Sequence, residues 1–232
     1  MTAEPPESQV TKVARSLEVR WIFPGQLETT VTGWFARFPA RTESREDTYL
    51  LDPRLHGLSV KVRGGTVLEA KAYCGSPGIL EVAGRARGRM EYWQKWSFPS
   101  SPLGPRSSDP AAWRPVRKRR RISRFSLASG QLDAPGQGLG EQPRCEVELT
   151  EVQTGGQDWW TLGFEATGPA DLLRDALQAT AALVFAQALP GSAEPGPDES
   201  RSYAEWLCQQ SGAESYVAWK ASDGRILTPA ER

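Results

Sequence analysis

The chain has 232 residues, enough for one substantial domain with a sizeable core. Its 28 basic and 28 acidic residues cancel, so no global pull towards nucleic acid or a membrane is implied and charge must be read locally. The three cysteines (Cys74, Cys145, Cys208) are odd in number and far apart, and no apolar run approaches the roughly 20 residues of a membrane span. A reducing, cytoplasmic setting without a disulfide framework or membrane anchor is the expectation.

Residues 1–15 are polar and Pro-containing and read as a disordered lead-in. From Leu17 the pattern alternates strictly, with Leu17, Val19, Trp21 and Phe23 on one side and Glu18, Arg20 and Ile22 on the other, which predicts a strand. Pro24-Gly25 breaks it. Residues 26–38 read as a short helix or a strand, with helix preferred before Pro39; a charged loop follows, then a short strand over Asp47–Asp52 stopped by Pro53.

Ser59–Arg63 and Val67–Lys71 flank Gly64-Gly65-Thr66 as a β-hairpin. A three-residue loop pairs Arg63 with Val67, Lys61 with Glu69 and Ser59 with Lys71, which keeps charges on one face and sets Lys61 against an opposite charge. One glycine of that loop is expected at positive φ in a bulge.

Residues 89–98 form a further strand, with Glu91, Trp93 and Lys95 opposite Tyr92 and Trp96. After a Pro/Ser loop over 99–113 comes a basic strand in which Val116 and Ile122 share a face, a parity that places Arg117, Arg119 and Arg121 on the other. Beyond a Gly/Pro-rich loop at 129–143, Cys145–Leu149 alternates carboxylates with apolar residues. Trp160–Ala166 sets Thr161 and Glu165 against Trp160, Leu162 and Phe164, and Gly155-Gly156 makes the two a hairpin. Pro169 opens a helix to about 188 with an apolar stripe through Leu173, Ala176, Leu177 and Val184. A polar linker then leads to Ser202-Tyr203-Ala204-Glu205, a capping-box start for a terminal helix, and the last dozen residues carry no strong signal. Strands followed by helices make the class α+β.

Several chemistries lack their parts. With His56 the single histidine there is no zinc-ligand spacing, a Ser-His-Asp hydrolase would have to use His56 without a G-x-S-x-G elbow, and no Walker A loop occurs. Gly136, Gly138 and Gly140 have dinucleotide-loop spacing but no strand before them.

Charges of both signs recur on one face of at least five strands. An open sheet wet on one side explains this, as does closure into a barrel with a polar lumen. The order Leu17-Glu18-Val19-Arg20, Val60-Lys61-Val62-Arg63, Leu68-Glu69-Ala70-Lys71, Arg117–Arg121 and Cys145-Glu146-Val147-Glu148-Leu149 resembles the CYTH family of triphosphate tunnel metalloenzymes, over about residues 16–168. The resemblance implies a closed antiparallel eight-stranded β tunnel with flanking helices, spanning 16–188 with its packing helix, and 189–232 as linker and C-terminal helix. It further implies Arg20, Lys61, Arg63, Lys71, Arg119 and Arg121 as phosphate ligands, Glu18, Glu146 and Glu148 as ligands of Mg²⁺ or Mn²⁺, and hydrolysis by metal-bound water. The family opens with Glu-x-Glu-x-Lys where this chain has Ser16-Leu17-Glu18-Val19-Arg20, losing one carboxylate.

Two functions follow: a metal-dependent triphosphatase, or a non-catalytic tunnel that binds a phosphorylated small-molecule anion or acts as an interaction module. A third, nucleic-acid binding through Arg117–Arg124 with Trp93, Trp96 and Trp113 as stacking surfaces, is disfavoured by the neutral total charge. Catalytic residues and oligomeric state are left open.

Overall fold

The computed structural model describes residues 12–52, 55, 57–99, 112–126 and 142–210. His56, the Gly136–Gly140 stretch and the last dozen residues lie outside these, as do most of the lead-in and of both long loops. Nine strands lie among the described residues: β1 (Lys12–Pro24), β2 (Arg41–Leu50), β3 (Leu58–Arg63), β4 (Val67–Tyr73), β5 (Gly78–Val82), β6 (Ala86–Pro99), β7 (Trp113–Ser126), β8 (Arg144–Thr154) and β9 (Gln157–Thr167). With them are α1 (Thr29–Phe35), a 3-10 turn at Ala170–Leu172, α2 (Leu173–Val184) and α3 (Tyr203–Gln210).

Neighbours run β1-β9-β8-β7-β2-β3-β4-β6, and β6 pairs back to β1, all antiparallel, closing an eight-stranded barrel; β5 hangs on β6 outside the ring. The β3–β4 hairpin has the expected register, Arg63 to Val67 and Lys61 to Glu69. Both Gly64 (φ 54°) and Gly65 (φ 74°) are left-handed there, where one had been expected.

The alternation of β1 sorts its side chains between two environments. Leu17, Val19, Trp21 and Phe23 point outward into the main apolar core, with Val147 and Leu149 of β8 and Leu162 and Phe164 of β9. That core lies between the wall and the helices, because α1 adds Val31, Trp34 and Phe35, and α2 adds Leu173, Ala176, Leu177, Ala181 and Val184. At about 1.5–3 kcal/mol for each fully buried large apolar side chain, this outer layer holds the helices to the barrel. Free carbonyls at the C-terminal end of α2 accept hydrogen bonds from Arg37 (Val184 O) and Arg85 (Phe185 O, 3.0 Å). The inner face of the ring is left for polar side chains.

Three differences from expectation are larger than a residue or two at an element's end, besides the helix opened by Pro169, which is a 3-10 turn and then Leu173–Val184. The strand β1 begins at Lys12, inside the stretch read as lead-in. Residues 41–46, read as a charged loop, are the first half of β2. Both faces of Arg41–Glu46 are polar, so apolar alternation could not mark them. The strand β5 buries only Leu80 fully, so its sequence lacks an apolar face and predicts no strand.

Candidate functional site

The lumen is a cavity of about 220 Å³ lined by eleven basic residues and six glutamates. In a chain whose charges sum to zero, this is a local concentration of positive charge. Strand register sorts part of it into rows.

One row consists of Glu91 (β6), Glu18 (β1), Glu165 (β9) and Glu146 (β8), each directly opposite the next. Like charges so placed repel, and cations relieve them. Lys71 Nζ is 2.6 Å from Glu18 Oε1, Lys95 Nζ is 3.7 Å from Glu165, Arg124 Nη2 is 2.6 Å from Glu146 and Arg89 Nε is 3.2 Å from Glu91. Burial opposes a charge on Lys71, but Glu18 and Glu165 outweigh it and raise its pKa. Lys71 and Lys95 in turn hold Glu165 below the ordinary carboxylate range. Ser16 also faces inward and donates to Glu18 Oε1 at 2.6 Å.

One step along the barrel, Arg20, Gly163 and Glu148 form the next row. Arg20 Nη1 reaches Glu148 Oε1 at 3.2 Å and Thr161 Oγ1 at 2.9 Å. Arg120 donates to the other Glu148 oxygen, and Thr150 Oγ1 donates to Oε1 at 2.6 Å. Burial alone would raise the Glu148 pKa; the two guanidiniums overcome it and hold the carboxylate well below its usual range.

A third cluster surrounds Asp47, fully buried at the floor of the cavity. Lys61 Nζ (3.2 Å) and Lys118 Nζ (3.3 Å) contact its Oδ2, and Arg45 Nε lies 2.9 Å from Oδ1. Lys118 Nζ also donates to Tyr49 Oη at 2.7 Å. Burial, together with repulsion from Lys61 and Arg20, pulls the Lys118 pKa well below its ordinary value against the attraction of Asp47 and Glu148.

Of the expected phosphate ligands, Arg20, Lys61, Arg63 and Lys71 line the cavity, as do Glu18, Glu146 and Glu148. Arg119 and Arg121 do not. They lie on the outer wall and contact Glu151 at 3.9 and 2.9 Å. The parity of β7 is therefore one residue off the expectation, and Lys118 and Arg120 are the inward basic pair. Arg41, Arg45, Arg89, Lys95 and Tyr203 also reach the cavity without having been anticipated as site residues.

The arrangement does not fit a resident divalent ion. Among the described residues no three carboxylate, His or Cys side chains are grouped to hold one. Glu18, Glu146 and Glu148 are each bonded to a lysine or arginine instead. No helix among the described residues is long and apolar enough to cross a membrane.

No protein-family model matches the sequence, and no curated protein does. Solved structures that resemble it include the S. pombe Pct1 RNA triphosphatase, at 9% identity and TM-score 0.38, covering 95% of this chain and 87% of that one. The same enzyme in complex with the Spt5 CTD gives 10% identity and TM-score 0.38, over 95% and 88%. At that level of likeness, the barrel described above rests on its own strand pairing.

Proposed function

We propose that the lumen binds a small phosphorylated anion, with a linear triphosphate group as the best match. The observation that carries this reading is eleven basic residues lining one cavity against six glutamates, an excess that Asp47 beneath Lys61 and Lys118 only partly offsets. Internal carboxylates hold the cations in place until a ligand arrives, and phosphate oxygens then take over charge-assisted bonds from Glu18 and Glu148. In this reading Arg20, Lys61, Arg63, Lys71, Lys118 and Arg120 are the phosphate ligands.

Calorimetric titration with tripolyphosphate is expected to show saturable one-to-one binding, weakened at least about tenfold by Arg120→Ala and unchanged by Arg119→Ala/Arg121→Ala. No binding, or equal loss in both variants, overturns the reading. Hydrolysis is the second reading, in which a divalent ion enters together with the anion and is held by the row Glu91, Glu18, Glu165, Glu146 once phosphate has drawn the lysines and arginines away. Phosphate release from tripolyphosphate, thiamine triphosphate and ATP with Mg²⁺ or Mn²⁺, beside Glu146→Gln/Glu148→Gln, tests it. Binding without release leaves the protein a non-catalytic anion-binding tunnel.

A further inference from the structure

One end of the barrel is built differently from its middle. The β1–β6 pairing stops at Glu18 and Glu91, beyond which β6 pairs with β5 instead. The chain before α3 fills that seam: Ile22 N donates to Glu199 O (3.0 Å), Arg201 N to Arg20 O (3.0 Å) and Arg89 N to Ser200 Oγ (2.8 Å). Ser202 then caps α3, its Oγ accepting from Glu205 N at 3.3 Å, and the helix enters the end of the lumen.

The strands are prepared for it. On four of them the inward residues change from polar to apolar at this end: Arg20 to Ile22, Asp47 to Tyr49, Lys118 to Val116 and Thr150 to Val152. Trp206 and Leu207 of α3, both essentially inaccessible, pack among these four residues. Tyr203 stands at the border between this plug and the charged cavity. Lys118 Nζ lies 3.8 Å from its ring centre and the Arg20 guanidinium 4.6 Å, while its hydroxyl is 3.2 Å from Thr161 Oγ1. Exposure rises away from it: Asp47 and Lys118 are at 0% and 3%, whereas Arg63 and Arg41 are at 41% and 51%.

Resting on the anion-binding reading above, we infer that α3 makes the lumen blind and that Tyr203 is its end-stop, a specificity determinant. The site then takes the free end of a linear polyanion and rejects an internal segment, because a continuing chain has no exit past Tyr203 and Trp206. Long polyphosphate or a nucleic-acid backbone cannot thread through.

The test compares a linear polyphosphate with its derivative carrying bulky amides on both terminal phosphates. Wild-type protein is expected to bind the free-ended chain with no more than two molecules per chain by sedimentation, and to lose at least about 100-fold in affinity for the blocked one. Equal affinity for both, or many molecules per free-ended chain, overturns the end-stop while leaving anion binding intact. Failure to bind even tripolyphosphate overturns the anion-binding reading and the end-stop with it. Tyr203→Ala/Trp206→Ala is expected to regain binding to the blocked chain; should that variant not fold, the wild-type comparison alone decides.

Discussion

Arg20 reaches Glu148 by lying across Gly163: its Nη1 is 3.2 Å from the carboxylate, and a Cβ on residue 163 would stand 2.7 Å from the guanidinium carbon. The glycine is a gap in β9 through which a β1 side chain meets one from β8. Backbone conformation does not require it, since Gly163 is not among the positive-φ glycines.

Gly163→Ala is therefore expected to separate binding from stability. Glycine weakens a strand interior more than alanine does, and Arg120 stays on Glu148, so the melting temperature should move by only a few degrees. Displaced from Glu148, Arg20 should cost tripolyphosphate about tenfold in affinity. Calorimetry beside thermal denaturation checks both.

Glu148→Gln removes the shared counter-charge of Arg20 and Arg120. Leaving two largely buried guanidiniums without it should destabilise the free protein by about 3–5 kcal/mol. A phosphate anion supplies the missing charge, so the rise in melting temperature on adding tripolyphosphate should be larger in the variant than in wild type.

Lys118 gives a pH signature. Its pKa in the free protein is pulled below the ordinary value by burial, Lys61 and Arg20, with Asp47 and Glu148 opposing. An arriving anion raises it, so binding takes up protons between the free and bound pKa values, and affinity falls as pH rises through that window. Titration in buffers of different ionisation enthalpy should show an uptake that Lys118→Met removes.

Acid should unfold the protein through its paired carboxylates. Burial would raise Glu69, but Lys61, Lys95 and Arg63 hold it at about 2, with Asp47 and Glu148 also below the usual range. A depressed pKa contributes stability that is complete above about 4.5 and lost as pH falls towards 2, on the order of 3 kcal/mol for Glu69. Urea midpoints at pH 7, 4 and 3 should fall accordingly, and less steeply in Glu69→Gln.

How far the sequence carried depended on whether a strand had one apolar face. The strands β1, β8 and β9 and the β3–β4 hairpin do, so parity puts Glu18, Arg20, Glu146, Glu148, Lys61 and Lys71 on one polar face, although only the family resemblance turns that face into a lumen. On β7 that rule misled. Val116 and Ile122 suggest an apolar outer side, yet Val116 faces α3 at the plugged end, and the outer side is the exposed Arg117 and Arg119. Phe125 was the better marker, because it packs on Phe38 in the outer core and fixes Lys118 and Arg120 as inward. The first half of β2 is polar on both faces, so Glu43 and Arg45 gave no contrast to read. Tyr203 depends on a tertiary event, the return of the C-terminal segment into the barrel, that local periodicity does not encode.

A crystal structure of the protein soaked with tripolyphosphate tests the central claim most directly. The account predicts phosphate density inside the lumen between Lys71, Arg20 and Arg120, one end against Tyr203, with the Glu148 ion pairs broken. Density confined to Arg117, Arg119 and Arg121 on the outer wall, with the lumen pairs intact, would contradict it.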